Sequence, residues 1–252
     1  MYAIYAYCRG VDDLGDEAEG DRLALLDEWE ADLRRCYDGG APRDIRFVAL
    51  QRTIRRFDIP IEPFLRLIEA NRRDQTVARY RTFDDLLGYC TYSANPVGHL
   101  VLYVFGYRDA ERQRLSDATC TALQLANFWQ DVSRDLEMGR IYLPQEDIER
   151  FGCSEGDLLA RRTTPEFRRL MAFEVDRARD YFQEGLALVP RVAGRLRLDL
   201  RLFTLGGLAV LDEIERMNYD VLRRRPRVSK AKKLWLAARG LVPVEPRVRR
   251  AA

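Results

Sequence analysis

The amino-acid sequence predicts an all-α protein. Apolar residues recur three or four apart along nearly the whole chain, and Pro, Gly and capping residues interrupt them at helix-length intervals. No run alternates apolar with polar residues as a half-buried strand would. With 252 residues, 47% hydrophobic and 33% charged, the chain is long enough to bury a sizeable core and lies outside the composition of disordered proteins.

Residues 2–14 read as a buried helix, entered at Tyr2 with no cap residue before it, as though partway along. "DRLALLDEWEADLRRCYDG" is amphipathic and closes at Gly39 and Gly40. Helices follow at about 44–57, at 61–73 after Pro60, and at 83–93 with Thr82 as N-cap. "NPVGHLVLYVFG" starts another, with Pro96 in a first turn, where its missing N–H is not needed. A long helix at about 109–137 stops near Gly139, and "YLPQEDIERFG" resembles a short connecting helix. Residues 165–189 place Phe167, Leu170, Met171, Val175, Ala178, Phe182 and Leu186 at helical spacing. A last helix at about 199–223 contains Gly206 and Gly207, for close packing or for a kink. The expectation is a single domain over 1–252 with a basic tail from about residue 223.

The formal charge of +2 names no partner, but from Arg223 to Arg250 Glu245 is the lone acidic residue. Cys8, Cys36, Cys90, Cys120 and Cys153 are scattered without metal-ligand spacing, as in reduced core cysteines of a cytoplasmic protein. His99 is the only histidine, which excludes zinc sites built on two histidines and paired Glu-x-x-His di-iron sites; it reads as a packed or surface residue. No basic region followed by an apolar stretch marks a signal peptide, and "LVLYVFGY" and "LFTLGGLAVL" are too short to span a bilayer.

Two acidic rows carry the chemistry. In "CRGVDDLGDE", Asp12 and Asp16 are four apart and share a helix face, while Asp13 points elsewhere. In "LQLANFWQDVSRDLEMGRIYLP", Asn127, Asp131 and Asp135 form a second row, with Gln124 about a turn before it. Like charges at this spacing repel by a few tenths of a kcal/mol. A lone row of this kind is usually a solvated face, and two together suggest bound cations. Oxygen donors without histidine or cysteine point to Mg²⁺, which prefers carboxylates, water and substrate phosphate. Arg9 flanks the first row, and Arg134 and Arg140 flank the second, which suits a departing diphosphate.

With "YCTYSANPVGHLVL", these segments resemble the squalene/phytoene synthase family from Met1 to about Lys233. "NFWQD" and "YSANPVG" look most like its hopanoid-pathway HpnC branch, the hydroxysqualene synthases. The resemblance implies the isoprenoid synthase fold, a helical bundle around a central apolar cavity, with its first helices absent before Met1. It implies Mg²⁺ held by Asp12, Asp16, Asn127, Asp131 and Asp135. Arg9, Gln124 and Arg140 match substrate or diphosphate contacts, Tyr89 a tyrosine of ionisation or proton handling, and Tyr142 and Tyr219 tyrosines lining the pocket. Gln130 stands where many relatives carry arginine, removing one positive charge.

The implied reaction is ionisation of presqualene diphosphate and capture of the cation by water, giving hydroxysqualene and diphosphate with no NADPH. Squalene or phytoene synthase activity, head-to-head condensation of prenyl diphosphates such as farnesyl diphosphate, is the alternative, and a truncated non-catalytic relative is another. Without the family match, Tyr89 reads equally as a core tyrosine; Phe128 and Trp129 read as packing. "RRRPRVSKAKK" reads as a solvated basic end or as a peripheral contact with anionic lipid at the inner membrane surface, and less well as a nucleic-acid contact, because it lacks interleaved aromatics.

Overall fold

A computed structural model describes residues 1–241, so the end of the basic tail lies outside the described residues. The residues form two compact units, each assembled from two stretches of chain: Met1–Val77 with Tyr89–Gln113, and Ala78–Gly88 with Arg114 onwards. Both are helical; the described residues hold no strand, only an isolated bridge between Arg79 and Ile141.

The first unit contains α1 (Tyr2–Asp16), α2 (Arg22–Tyr37), α3 (Ile45–Phe57), α4 (Glu62–Arg73), the end of α5 (Phe83–Ser93) and α6 (Asn95–Val104). Its core is an aromatic cluster. The Tyr7, Trp29, Phe47 and Phe64 rings meet with centroids between 4.5 and 5.7 Å apart, mostly edge to face. The buried Tyr7 hydroxyl donates to Phe64 O at 2.9 Å, so its polar end is satisfied. Gly10 lets Trp29 lie against α1: a Cβ there would sit 2.5 Å from the indole. Buried Asp32 accepts from the Arg43 and Asp44 amides and from Arg35, fixing the α2–α3 connection.

The second unit contains the start of α5, most of α7 (Ala110–Glu137), α8 (Gln145–Arg150), α9 (Glu155–Leu159), α10 (Pro165–Gly185), α11 (Gly194–Arg216) and α12 (Lys230–Leu241). Thr82 caps α5 as expected: its Oγ1 accepts from Asp85 N while Asp85 Oδ2 accepts from Thr82 N. The two adjacent glycines of α11 differ. A Cβ at Gly207 would meet Phe182 Cζ at 2.2 Å, whereas Gly206 has open space beside it. Gly207 therefore serves close packing of α11 on α10. Trp129 anchors α7 by donating to Glu174 O at 3.1 Å. Arg179, 1% exposed, is neutralised by Glu215 and Asp176.

Three expected boundaries move. The 165–189 helix ends at Gly185 and tightens into a 3₁₀ segment, Leu186–Arg191, because Pro190 lacks the N–H that an α-turn needs. The 199–223 helix runs instead over Gly194–Arg216, since Asn218 and Tyr219 adopt left-handed backbone with φ of 51° and 60° and end it. The basic stretch read as a tail contains α12, whose Leu236 packs on Leu205 and Ala209 of α11. The cysteines form no disulfide: Cys36 and Cys90 are buried and the others half-buried.

Candidate functional site

The first row lies in the last two turns of α1. Gly15 between its carboxylates lets α4 approach closely, since a Cβ there would lie 2.1 Å from Asn71 Oδ1. Asn71 is buried; its amide donates to Leu67 O at 3.0 Å and reaches Asp12 Oδ1 at 3.5 Å. Gln75 ties the same segment down through Gly15 O at 3.0 Å. Asp12 is exposed as a residue, yet the protein packed around its carboxyl partly desolvates it. That loss of water, opposed by the Asn71 amide and assisted by the charge of Asp16, pushes its pKa up to about 6. Arg9 forms ion pairs with Asp13 at 2.7 Å and Glu17 at 3.0 Å, along the exposed side of the helix.

Tyr89, 5% exposed, donates to Asp74 Oδ2 at 2.7 Å. Asp74 is the C-cap of α4, so the phenol is oriented by a carboxylate rather than by backbone. Nothing in the sequence marks Asp74 or Asn71 as partners, because their pairing joins positions 15 and 59 residues apart.

The second row climbs α7 from exposed Asn127 through half-buried Asp131 to Asp135, which is 9% exposed. Asp131 is held by Arg225: the guanidinium Nε and Nη2 both donate to its carboxylate, the second at 3.1 Å. Gln130 sets this geometry. Its Oε1 accepts from Arg225 Nη2 at 3.2 Å, and its Nε2 donates to Pro226 O at 2.8 Å. The "RRRPR" segment thus places a guanidinium beside Gln130 and Asp131. The sequence marks that segment as a solvated basic end or a lipid contact and not as a partner of the second row; the proline beside Arg225 is the local signal of a fixed turn.

Beyond α7 the chain turns at Gly139, φ 74°, and Arg140 N bonds back to Asp135 O at 2.8 Å. Arg79 clamps the turn by donating to Gly139 O at 2.6 Å, and Ile141 N bonds to Ala78 O at 3.0 Å. Asp135, Arg140 and Tyr142 consequently line one tight cleft with Phe128. The Tyr142 ring stacks on Phe128 at 4.0 Å and on Tyr80 at 5.8 Å. Asn127 and Gln130 instead border an open groove of about 300 Å³ between α7 and α11, floored by Leu123, Phe203, Gly206 and Val210. Gln124 is half-buried one turn earlier. Tyr219, just past α11, has Glu215, Arg179 and Asp176 as its charged neighbours, and its desolvated phenol is raised above its usual value.

Among the described residues no three acidic, histidine or cysteine side chains close on one point. The donors present are carboxylate and amide oxygens, which suit a hard cation that takes one or two protein carboxylates and completes its shell with water and phosphate.

A sequence model described as squalene/phytoene synthase matches residues 1–232. The chain belongs to the squalene/phytoene synthase family. The family's enzymes act on prenyl diphosphates in isoprenoid biosynthesis. The protein is 36% identical to the 15-cis-phytoene synthase of Synechococcus elongatus, over 93% of this chain and 80% of that one. It is 37% identical to phytoene synthase 3 of Zea mays over 93% of its own length, and spans only 57% of that relative. Among solved structures, squalene synthase HpnC from Alicyclobacillus acidocaldarius matches with TM-score 0.84 and 56% identity, over 86% of this chain and 82% of that one. A dehydrosqualene synthase crystallised with a ligand matches with TM-score 0.88 and 28% identity, over 95% and 84%. The all-α architecture is the isoprenoid synthase fold of these structures.

Proposed function

We propose that the protein ionises presqualene diphosphate and lets water capture the resulting cation, forming hydroxysqualene and diphosphate without NADPH. The observation that carries this reading is the 56% identity to squalene synthase HpnC, well above the 28% to the dehydrosqualene synthase and the 36% to the phytoene synthase.

In this reading the C–O bond of the substrate breaks with its electron pair leaving on diphosphate. Asp12, Asp16, Asn127, Asp131 and Asp135 would hold magnesium, which when bound would offset the charge of that leaving group. Arg9, Arg140 and Arg225 add hydrogen-bond donors to diphosphate oxygens, and Arg225 gives up Asp131 as it does so. The apolar groove floored by Leu123, Phe203 and Val210 receives hydrocarbon of the substrate. The Phe128–Tyr142 stack offers ring faces to positive charge. Gln124 serves as a polar contact to the substrate. Tyr89, hydrogen-bonded to Asp74, is assigned the proton handling when water adds, and Tyr219 a place near the diphosphate.

The phytoene synthase relatives support a second reading, head-to-head condensation of prenyl diphosphates. Incubation of purified protein with Mg²⁺ and, separately, presqualene diphosphate without NADPH or geranylgeranyl diphosphate distinguishes the two by mass spectrometry. Hydroxysqualene is the expected product. Failure to consume presqualene diphosphate, with phytoene formed from geranylgeranyl diphosphate, would overturn the first reading in favour of the second.

A further inference from the structure

The α12 helix has two faces with different tasks. Its inner face packs on α11: Leu236 is 8% exposed against Leu205 and Ala209, and a Cβ at Gly240 would lie 2.4 Å from Leu202. Lys232 also points this way, its Nζ 3.4 Å from Asp212. Its outer face carries the adjacent pair Leu234 and Trp235, 75% and 56% exposed. At 3.6 residues per turn, Leu234, Ala238, Ala231 and Trp235 share one arc opposite Leu236. Exposed Lys230 and Lys233 border the arc on one side and exposed Arg239 on the other.

We infer that this outer face of α12 docks on an anionic lipid surface. Leucine and tryptophan side by side in water are unfavourable, and a tryptophan at the edge of a basic helix suits the boundary between headgroups and acyl chains. Lysine and arginine stems at the borders of the arc reach past the apolar strip to phosphate oxygens. Charge supports lipid over other occupants: from Val221 to Gly240 the chain has no acidic residue, and Arg223, Arg224 and Arg227 are exposed just ahead of the helix. A second copy docking through the same face would bring like charges together. Nucleic acid would find an apolar strip where hydrogen-bond donors are needed. The helix lies along the surface rather than across it, since no helix among the described residues is long and apolar enough to span a membrane.

Trp235 makes the test direct, because Trp29 and Trp129 are 5% and 0% exposed. The full chain is mixed with vesicles of phosphatidylcholine alone or of phosphatidylcholine with phosphatidylglycerol. The expected result is a blue shift of tryptophan emission and co-sedimentation with the anionic vesicles, both diminished by high salt. The double variant Leu234→Ser/Trp235→Ser, altered only at exposed positions, should keep its helical melting curve and bind at least about tenfold more weakly. Lys230→Gln/Lys233→Gln should weaken binding and reduce its salt dependence. Absence of binding by the native chain, or equal binding by the Leu234→Ser/Trp235→Ser variant, would overturn the inference. So would a concentration-dependent dimer that this variant abolishes, which would assign the face to a second copy. Vesicle binding is read without substrate, so its failure leaves the proposed diphosphate chemistry standing.

Discussion

Asp12 on α1 and Asp131 on α7 occupy the same kind of position, an acidic residue four before another in a helical row. Asp12 has only a long contact from the Asn71 amide and the nearby charge of Arg9 to offset the loss of water, and its carboxyl is raised to about 6. Asp131 carries a guanidinium on both oxygens, delivered from nearly a hundred residues further along the chain and positioned by Gln130. The difference teaches how a protein keeps an anion-rich site folded. One row leaves a carboxylate with few neutralising partners and a raised pKa; the other holds its carboxylate in a two-bond pair with an arginine.

The sharpest way to break this comparison is to delete a carboxylate. Asp131→Ala should reduce diphosphate release from presqualene diphosphate by about a thousandfold or more, because leaving-group charge loses its counterpart. Release equal to that of the native protein would end the enzymatic reading of this row. A smaller effect comes from the arginine. Arg225→Gln should free Asp131, so that Mn²⁺ binds more tightly in calorimetry while diphosphate release falls about tenfold. If both quantities fall together, Arg225 supports the carboxylate rather than yielding it.

The smallest effect distinguishes the rows by pH. For Asp12 the folded pKa of about 6 lies above the usual 3.8, so the native state holds the proton more tightly than the unfolded chain. Its contribution to stability is present at low pH and is lost as pH rises through about 6 in the absence of divalent cation. Added Mg²⁺ should lower this titration, because the ion competes with the proton, and carboxyl NMR of Asp12 would record the shift. An Asp12 resonance that titrates identically with and without Mg²⁺ would contradict the role given to the first row.

Much of this was legible in the sequence because it is local. The caps, the helical spacing, the i, i+4 rows and the turn at Gly139 are all short-range patterns with one physical outcome. The residues that hold the rows were not legible. Asn71, Asp74 and Arg225 reach the residues they support only after the chain has folded back, and each belongs to a segment whose composition reads as ordinary helix or basic tail. α12 was missed for a related reason: with lysines and alanines outnumbering its large apolar residues, its burial depends on the groove that α11 offers to Leu236.

The central claim is that both rows bind divalent ions together with diphosphate. Mn²⁺ binding measured by electron paramagnetic resonance in the presence of inorganic diphosphate tests it most directly, on the native chain, Asp12→Ala and Asp131→Ala. The account predicts diphosphate-dependent Mn²⁺ binding that each substitution diminishes. Equal Mn²⁺ occupancy in all three proteins, or occupancy indifferent to diphosphate, would contradict it.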